Sequence, residues 1–299
     1  MRIIARRELL LALMVAALGR TYVSAQETPR AGAEKGPALK SKATPNAEAR
    51  PAKDAKPDVE FVFDFTALNL NSGDAKKDAA LKQRCAYFAK ITRSEVYPLL
   101  REITGVSVGK HYKEIRYQIL PPATVGRTIG GCAINNEIKL DQRYSVDMNP
   151  PTDIHEMIHV FNHACGVLHG AVDHVWHGAL TDAVEVRLGR KPQYSRDGAV
   201  AAMQNGLKQI EAAPNAFRSP VTRSGILTEQ MTVFYFDLGE EAIGRLYRST
   251  IDPHPVGKPS ASMVAKWGKE AEKVQALVET MKRDYKFTFD ERTRKALGL

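Results

Sequence analysis

The chain has 299 residues, of which 43% are hydrophobic and 26% charged, an ordinary balance for a soluble globular protein. That composition excludes a polytopic membrane protein, a collagen and a wholly disordered chain. Of the formal charge of +9, residues 1–25 carry +3 and residues 26–58 carry +2, so the remaining body holds only +4 and gives no ground for a nucleic-acid partner.

Residues 1–25 read as an export signal. Arg2, Arg6 and Arg7 form a basic start, Leu9 to Leu18 an apolar run, and Val23-Ser24-Ala25 supplies the small residues that a signal peptidase requires. The run is shorter than the roughly 20 residues that span a bilayer, so no stable membrane span is expected after cleavage. Arg6-Arg7-Glu8-Leu9-Leu10 loosely resembles a twin-arginine export signal, which implies a periplasmic or secreted protein. Residues 26–58 are rich in Ala, Pro, Lys and Glu and contain no aromatic residue, so they read as a disordered tether. Cys85, Cys132 and Cys165 allow one disulfide and one free thiol, with three candidate pairings.

The folded body is expected from residue 59 to residue 299, as an α+β unit with a mainly helical C-terminal half from about residue 190. Val59–Phe65 alternates as a strand, and Lys76–Ile103 carries a helical apolar face through Leu81, Cys85, Phe88, Val96 and Leu99. Glu114–Leu120 reads as a second strand. Ile134–Leu140 reads as a half-exposed or edge strand, entered by a turn at Gly130-Gly131. Asn149 and Pro150 suggest a cap and first position of a helix, with two further helices before Gly189. Beyond Gly198, helices are expected over Ala199–Glu211, Thr228–Arg248 and Ser260–Tyr285.

The chemistry concentrates in His155-Glu156-Met157-Ile158-His159, an H-E-x-x-H sequence. Four residues are slightly more than one helical turn, so His155 and His159 share a face and can chelate one Zn²⁺. Glu156 stands beside the first ligand, where it can hold a water and take its proton. Ile154, Met157, Ile158 and Phe161 recur at i, i+3, i+4 and i+7, so the opposite face is built for burial.

This stretch resembles the zincin metallopeptidases, of gluzincin type. Leu180-Thr181-Asp182-Ala183-Val184-Glu185-Val186-Arg187-Leu188-Gly189 is similar to the second ligand-bearing helix of secreted plant and bacterial basic secretory protein peptidases, whose pattern is E-G-[IL]-A-D-x-V-x-x-R-L. The resemblance covers about residues 130–190, and more faintly Gln230–Tyr247. It implies a small mixed sheet, an edge strand that pairs with an extended peptide substrate, a zinc cofactor, and Asp182 hydrogen-bonded to a ligand histidine. It also puts Gly178 where the family has its zinc-binding Glu.

His177 is adjacent to that position and is the expected third ligand. Asp182 and Glu185 lie further along the helix by about 6 Å and about 10 Å. His163, His169, Asp173 and His174 also crowd the region between the two helices. A metzincin pattern fails, because its glycine would fall at Asn162 and its third histidine at Cys165. No G-x-S-x-G and no phosphate-binding loop occurs.

The expected activity is hydrolysis of a peptide or protein substrate by a zinc-activated water, with Glu156 as general base. Tyr194 and Tyr235 are candidates for stabilising the oxyanion. The competing expectation is a lapsed peptidase fold acting as a binding module, on the ground that glycine cannot ligate.

Overall fold

A computed structural model describes residues 58–122, 124–125, 130–168, 170–212, 220–252 and 257–299. The export signal, the tether up to residue 57 and His169 lie outside the described residues. Asp58 anchors the start of the body. Its carboxylate accepts from Tyr97 Oη at 2.6 Å, from Ser107 Oγ and from Gly109 N, and pairs with Arg101 at 3.3 Å.

The sheet consists of β1 (Glu60–Asp64), β2 (Glu114–Leu120), β3 (Gly131–Ile134) and β4 (Glu137–Asp141), in the order β1-β2-β4-β3. β1, β2 and β4 run parallel, and β3 is an antiparallel edge paired with β4. The single strand expected over Ile134–Leu140 is therefore a hairpin. Ile134 pairs with Glu137 across a two-residue loop, and Asn135 takes the left-handed conformation (φ 58°) that asparagine tolerates. Apolar alternation cannot reveal a turn this short when both arms continue the same pattern.

Between β1 and β2 lie α1 (Ala75–Ile91), a π-helical segment (Thr92–Val96) and α2 (Tyr97–Thr104). Asp74 caps α1 by accepting from the amides of Lys76 and Lys77. Phe88 of α1 meets Phe63 of β1 and Tyr117 of β2 edge-on, at 6.0 and 5.7 Å between ring centroids, which fastens helix to sheet.

α3 (His155–Cys165) and α4 (His177–Arg187) are joined through a 3₁₀ segment (Gly170–Trp176). The helix expected from Asn149 and Pro150 begins instead at His155. Pro150 is followed by Pro151, and a residue before proline is pushed out of the helical region. α3 ends at Gly166, which takes φ 60°.

The C-terminal half is helical: α5 (Arg196–Ala212), α6 (Pro220–Ile251), α7 (Ala261–Trp267), α8 (Ala271–Tyr285) and α9 (Glu291–Leu297). Non-helical backbone at Gly239 (φ 86°) divides α6 in two. The helix expected over Ser260–Tyr285 breaks at Gly268 (φ 56°), and α9 adds an element with no strong periodic signal. α6 packs against α2, α4, α5, α8, α9 and the 3₁₀ segment, so it is the post around which the site is assembled. The three cysteines are all free thiols, so the disulfide considered from the sequence is not formed. Among the described residues no helix is long and apolar enough to cross a membrane.

Candidate metal centre

α3 carries its chemistry on one face because the other is packed. Met157, Ile158 and Phe161 are fully buried and Ile154 nearly so, as the spacing predicts. His155 and His159 consequently share a side, with ring centroids 5.2 Å apart.

The 3₁₀ segment delivers the next two groups. At three residues per turn, consecutive side chains diverge by about 120°, so neighbouring Asp173 and His174 serve different sides of His159. His174 lies 4.7 Å from the ring of His159 and 5.4 Å from that of His155. Its backbone carbonyl accepts from Thr228 Oγ1 of α6 at 3.1 Å. The ligating atoms of His155, His159 and His174 all lie within 4.8 Å of one another.

Asp173 takes the other side. Its Oδ2 is 2.5 Å from His159 Nδ1. A carboxylate oxygen accepts, so Nδ1 donates, and the bond fixes the ring and aims Nε2 toward Glu156. Asn162 Nδ2 donates to Asp173 Oδ1 at 2.8 Å and to its carbonyl at 2.9 Å. Tyr247 Oη of α6 in turn donates to Asn162 Oδ1 at 2.9 Å. A buried chain thus runs from Tyr247 through Asn162 and Asp173 to His159.

A second grouping, His159, His163 and Asp173, is equally compact. Its hydrogen bonds argue for an orienting role. Asn135 N–H donates to His163 Nδ1 at 3.2 Å, so the proton of neutral His163 sits on Nε2, which donates to Asp173 Oδ2 at 3.1 Å. A cation at that Nε2 would have to displace its only proton.

Electrostatics separate the two sets of groups. Burial pushes His155 well below the usual histidine range, with His159 and His174 adding to it, and pushes His174 down to about 4. Both rings are therefore neutral at pH 7, with lone pairs free to ligate. Burial opposes charge on His159 as well, but the hydrogen bond and charge of Asp173 outweigh it and raise its pKa. Burial alone would raise Asp173, yet its bonds to His159 and His163 hold it well below the carboxylate range.

Glu156 faces the same cluster. Its Oε2 is buried without a hydrogen-bond partner and lies 4.0 Å from His159 Nε2. Burial, opposed by His159 and helped by Asp153 and Asp173, lifts its carboxyl to about 7. Its backbone amide donates to Asp153 Oδ1 at 3.1 Å, and Asp153 Oδ2 accepts from Tyr117 Oη of β2 at 3.2 Å. The sheet thereby sets the start of α3. β3 closes over Glu156 at Gly131, where a Cβ would stand 2.9 Å from Glu156 Oε1 and 2.6 Å from Leu140 Cδ2. A side chain at this position would push on Leu140 and Glu156.

The residues chosen from sequence meet different fates. His155, Glu156 and His159 converge. His177 lies beside them, its ring 4.1 Å from His155 and 4.2 Å from His159. Its Nε2, however, is 3.1 Å from the carbonyl oxygen of His155, and its Nδ1 is buried without a partner. Among the described residues Asp182 makes no hydrogen bond to a histidine. Its Oδ1 accepts from Tyr194 N at 3.1 Å, and its Oδ2 is buried without a partner. Tyr235 shares its electrostatic surroundings with Asp182 and Glu240.

Gly178 turns toward α6. A Cβ there would stand 2.1 Å from Thr232 Oγ1 of α6, so this glycine lets α4 and α6 approach closely.

No protein family, curated protein or solved structure matches this chain. Sequence reasoning passed over Asp153, Asn162, Tyr247 and the contact role of Gly131, and counted Asp173 only among nearby polar groups. Asn162 follows His159 by three residues, and that spacing on one helix was the available signal.

Proposed function

We propose that this chain is an exported zinc-dependent metallopeptidase of zincin type, with His155, His159 and His174 holding the zinc and Glu156 as general base. The observation that carries the reading is the meeting of three imidazoles with a buried, partnerless Glu156 Oε2. The donors fit zinc, since neutral imidazoles are among its preferred ligands and catalytic sites use three protein ligands. His159 keeps its Nδ1 proton for Asp173, which leaves Nε2 as the nitrogen that would face a cation.

Zinc, when bound, supplies Lewis acidity toward a peptide carbonyl and a water. The chain's own groups do the rest. Glu156, buried beside His159 Nε2 with Oε2 unpartnered, is placed to accept a proton from water and return it to the leaving amine. Asp173 keeps His159 in the tautomer that presents Nε2. The outer edge of β3, last in the sheet among the described residues and near Glu156 at Gly131, would offer main-chain groups to an extended peptide.

The lapsed-enzyme reading rested on Gly178 as an emptied ligand position. Gly178 abuts Thr232, which gives that glycine a packing role as well, and zinc content and hydrolysis decide between the two readings.

The test is zinc content and peptide hydrolysis for the wild type and Glu156→Gln. The wild type should hold about one zinc per chain and cleave peptides; the variant should keep the zinc and lose cleavage by about a hundredfold or more. Hydrolysis that survives the substitution would sink the mechanism.

A further inference from the structure

Resting on the metal reading above, we propose that His163 is a positioning residue of the centre, which holds Asp173 Oδ2 against His159 and ties that carboxylate to the tip of the β3–β4 hairpin. His163 follows His159 by one turn of α3, with ring centroids 6.0 Å apart and planes 23° from parallel. Two elements far apart in sequence meet on its ring. Asn135, in the hairpin loop at φ 58°, donates its N–H to Nδ1 at 3.2 Å. That contact leaves the ring proton on Nε2, which donates to Asp173 Oδ2 at 3.1 Å.

Oδ2 therefore takes two imidazole donors, while Asn162 holds Oδ1. The carboxylate cannot rotate without breaking one of these bonds. His159 thus inherits its orientation partly from the edge strand, through Asn135, His163 and Asp173.

The test compares the full chain with His163→Leu and His163→Gln, because a glutamine amide can restore a donor near Nε2. Zinc affinity is read by chelator competition, and cobalt-substituted protein gives a visible spectrum that reports ligand geometry. Loss of an outer-sphere partner typically costs about ten- to hundredfold in metal affinity, which is the expectation for leucine, with glutamine recovering most of it. Nitrogen-15 shifts of the metal-free wild type should show His163 protonated on Nε2 and bare on Nδ1.

Wild-type affinity and an unchanged cobalt spectrum in His163→Leu would overturn the inference. So would a proton on His163 Nδ1, a result that stands even if the leucine variant fails to fold. Glutamine as weak as leucine would reduce His163 to packing and overturn it too. A wild type that binds no zinc would overturn the metal reading along with this one, whereas a zinc-binding wild type with an unaffected leucine variant would overturn this one alone.

Discussion

Replacing Gly178 with alanine should destabilise the protein, although alanine is the better helix former by about 1 kcal/mol. The new Cβ would lie 2.1 Å from Thr232 Oγ1, where ordinary contact begins near 3.4 Å, so the hydroxyl must give way by about 1.3 Å. Thr232 is fully buried and its Oγ1 donates to Thr228 O at 3.1 Å. Overpacking of this kind costs about 1–3 kcal/mol, and a lost buried hydrogen bond about 1 kcal/mol more. Set against the gain in helix propensity, the net loss is about 1–3 kcal/mol, or a fall in Tm of about 2–6 °C for a domain of this size.

Urea or thermal unfolding of Gly178→Ala, Thr232→Ala and the double variant measures this directly. Without the hydroxyl, the next neighbour of the added Cβ is Thr232 Cβ at 3.5 Å, an ordinary contact. Alanine at 178 should then be neutral or stabilising, giving a coupling of about 1–4 kcal/mol between the two sites. Strict additivity, or a Gly178→Ala that stabilises the wild type, would refute the packing. It would also reopen position 178 as an emptied ligand site.

Three further outcomes are expected. His174→Ala should lose tight zinc while His177→Ala keeps it, because His177 Nε2 is engaged by the His155 carbonyl; metal content after dialysis checks both. Tyr247→Phe should cost about 1–2 kcal/mol in denaturant unfolding, since it strands Asn162 Oδ1 in a buried setting. Burial, helped by Asp182, raises Glu229 from 4.5 to about 7, so the native state binds a proton there that the unfolded chain releases. The stability this group confers is full below pH 4.5 and lost as pH rises through 7. Glu229→Gln should therefore flatten the pH profile of metal-free protein and stabilise it at pH 8 by on the order of 2 kcal/mol; an unchanged profile would count against it.

Local pattern alone determined the parts of this protein that depend on one element at a time. Glu114–Leu120 is a strand because its residues alternate, and Leu81 to Ile103 lie on a helical run because apolar residues recur with that period. The motif helix follows the same logic, since a period of 3.6 residues puts His155 and His159 on one side and Met157, Ile158 and Phe161 on the other.

Everything that required a distance between elements was decided by the tertiary structure. His174 and His177 both lie beside the pair on α3, and which of them groups a ring nitrogen with it depends on the 3₁₀ turn of Gly170–Trp176 and on its fastening to α6 at Thr228. Whether Asp173 or Asp182 orients His159 depends on the same path. Gly178 likewise reads as a missing ligand in one dimension and as a helix contact in three. Periodicity reports which way a side chain leaves its own axis, but the neighbour it meets is set by packing between segments distant in sequence.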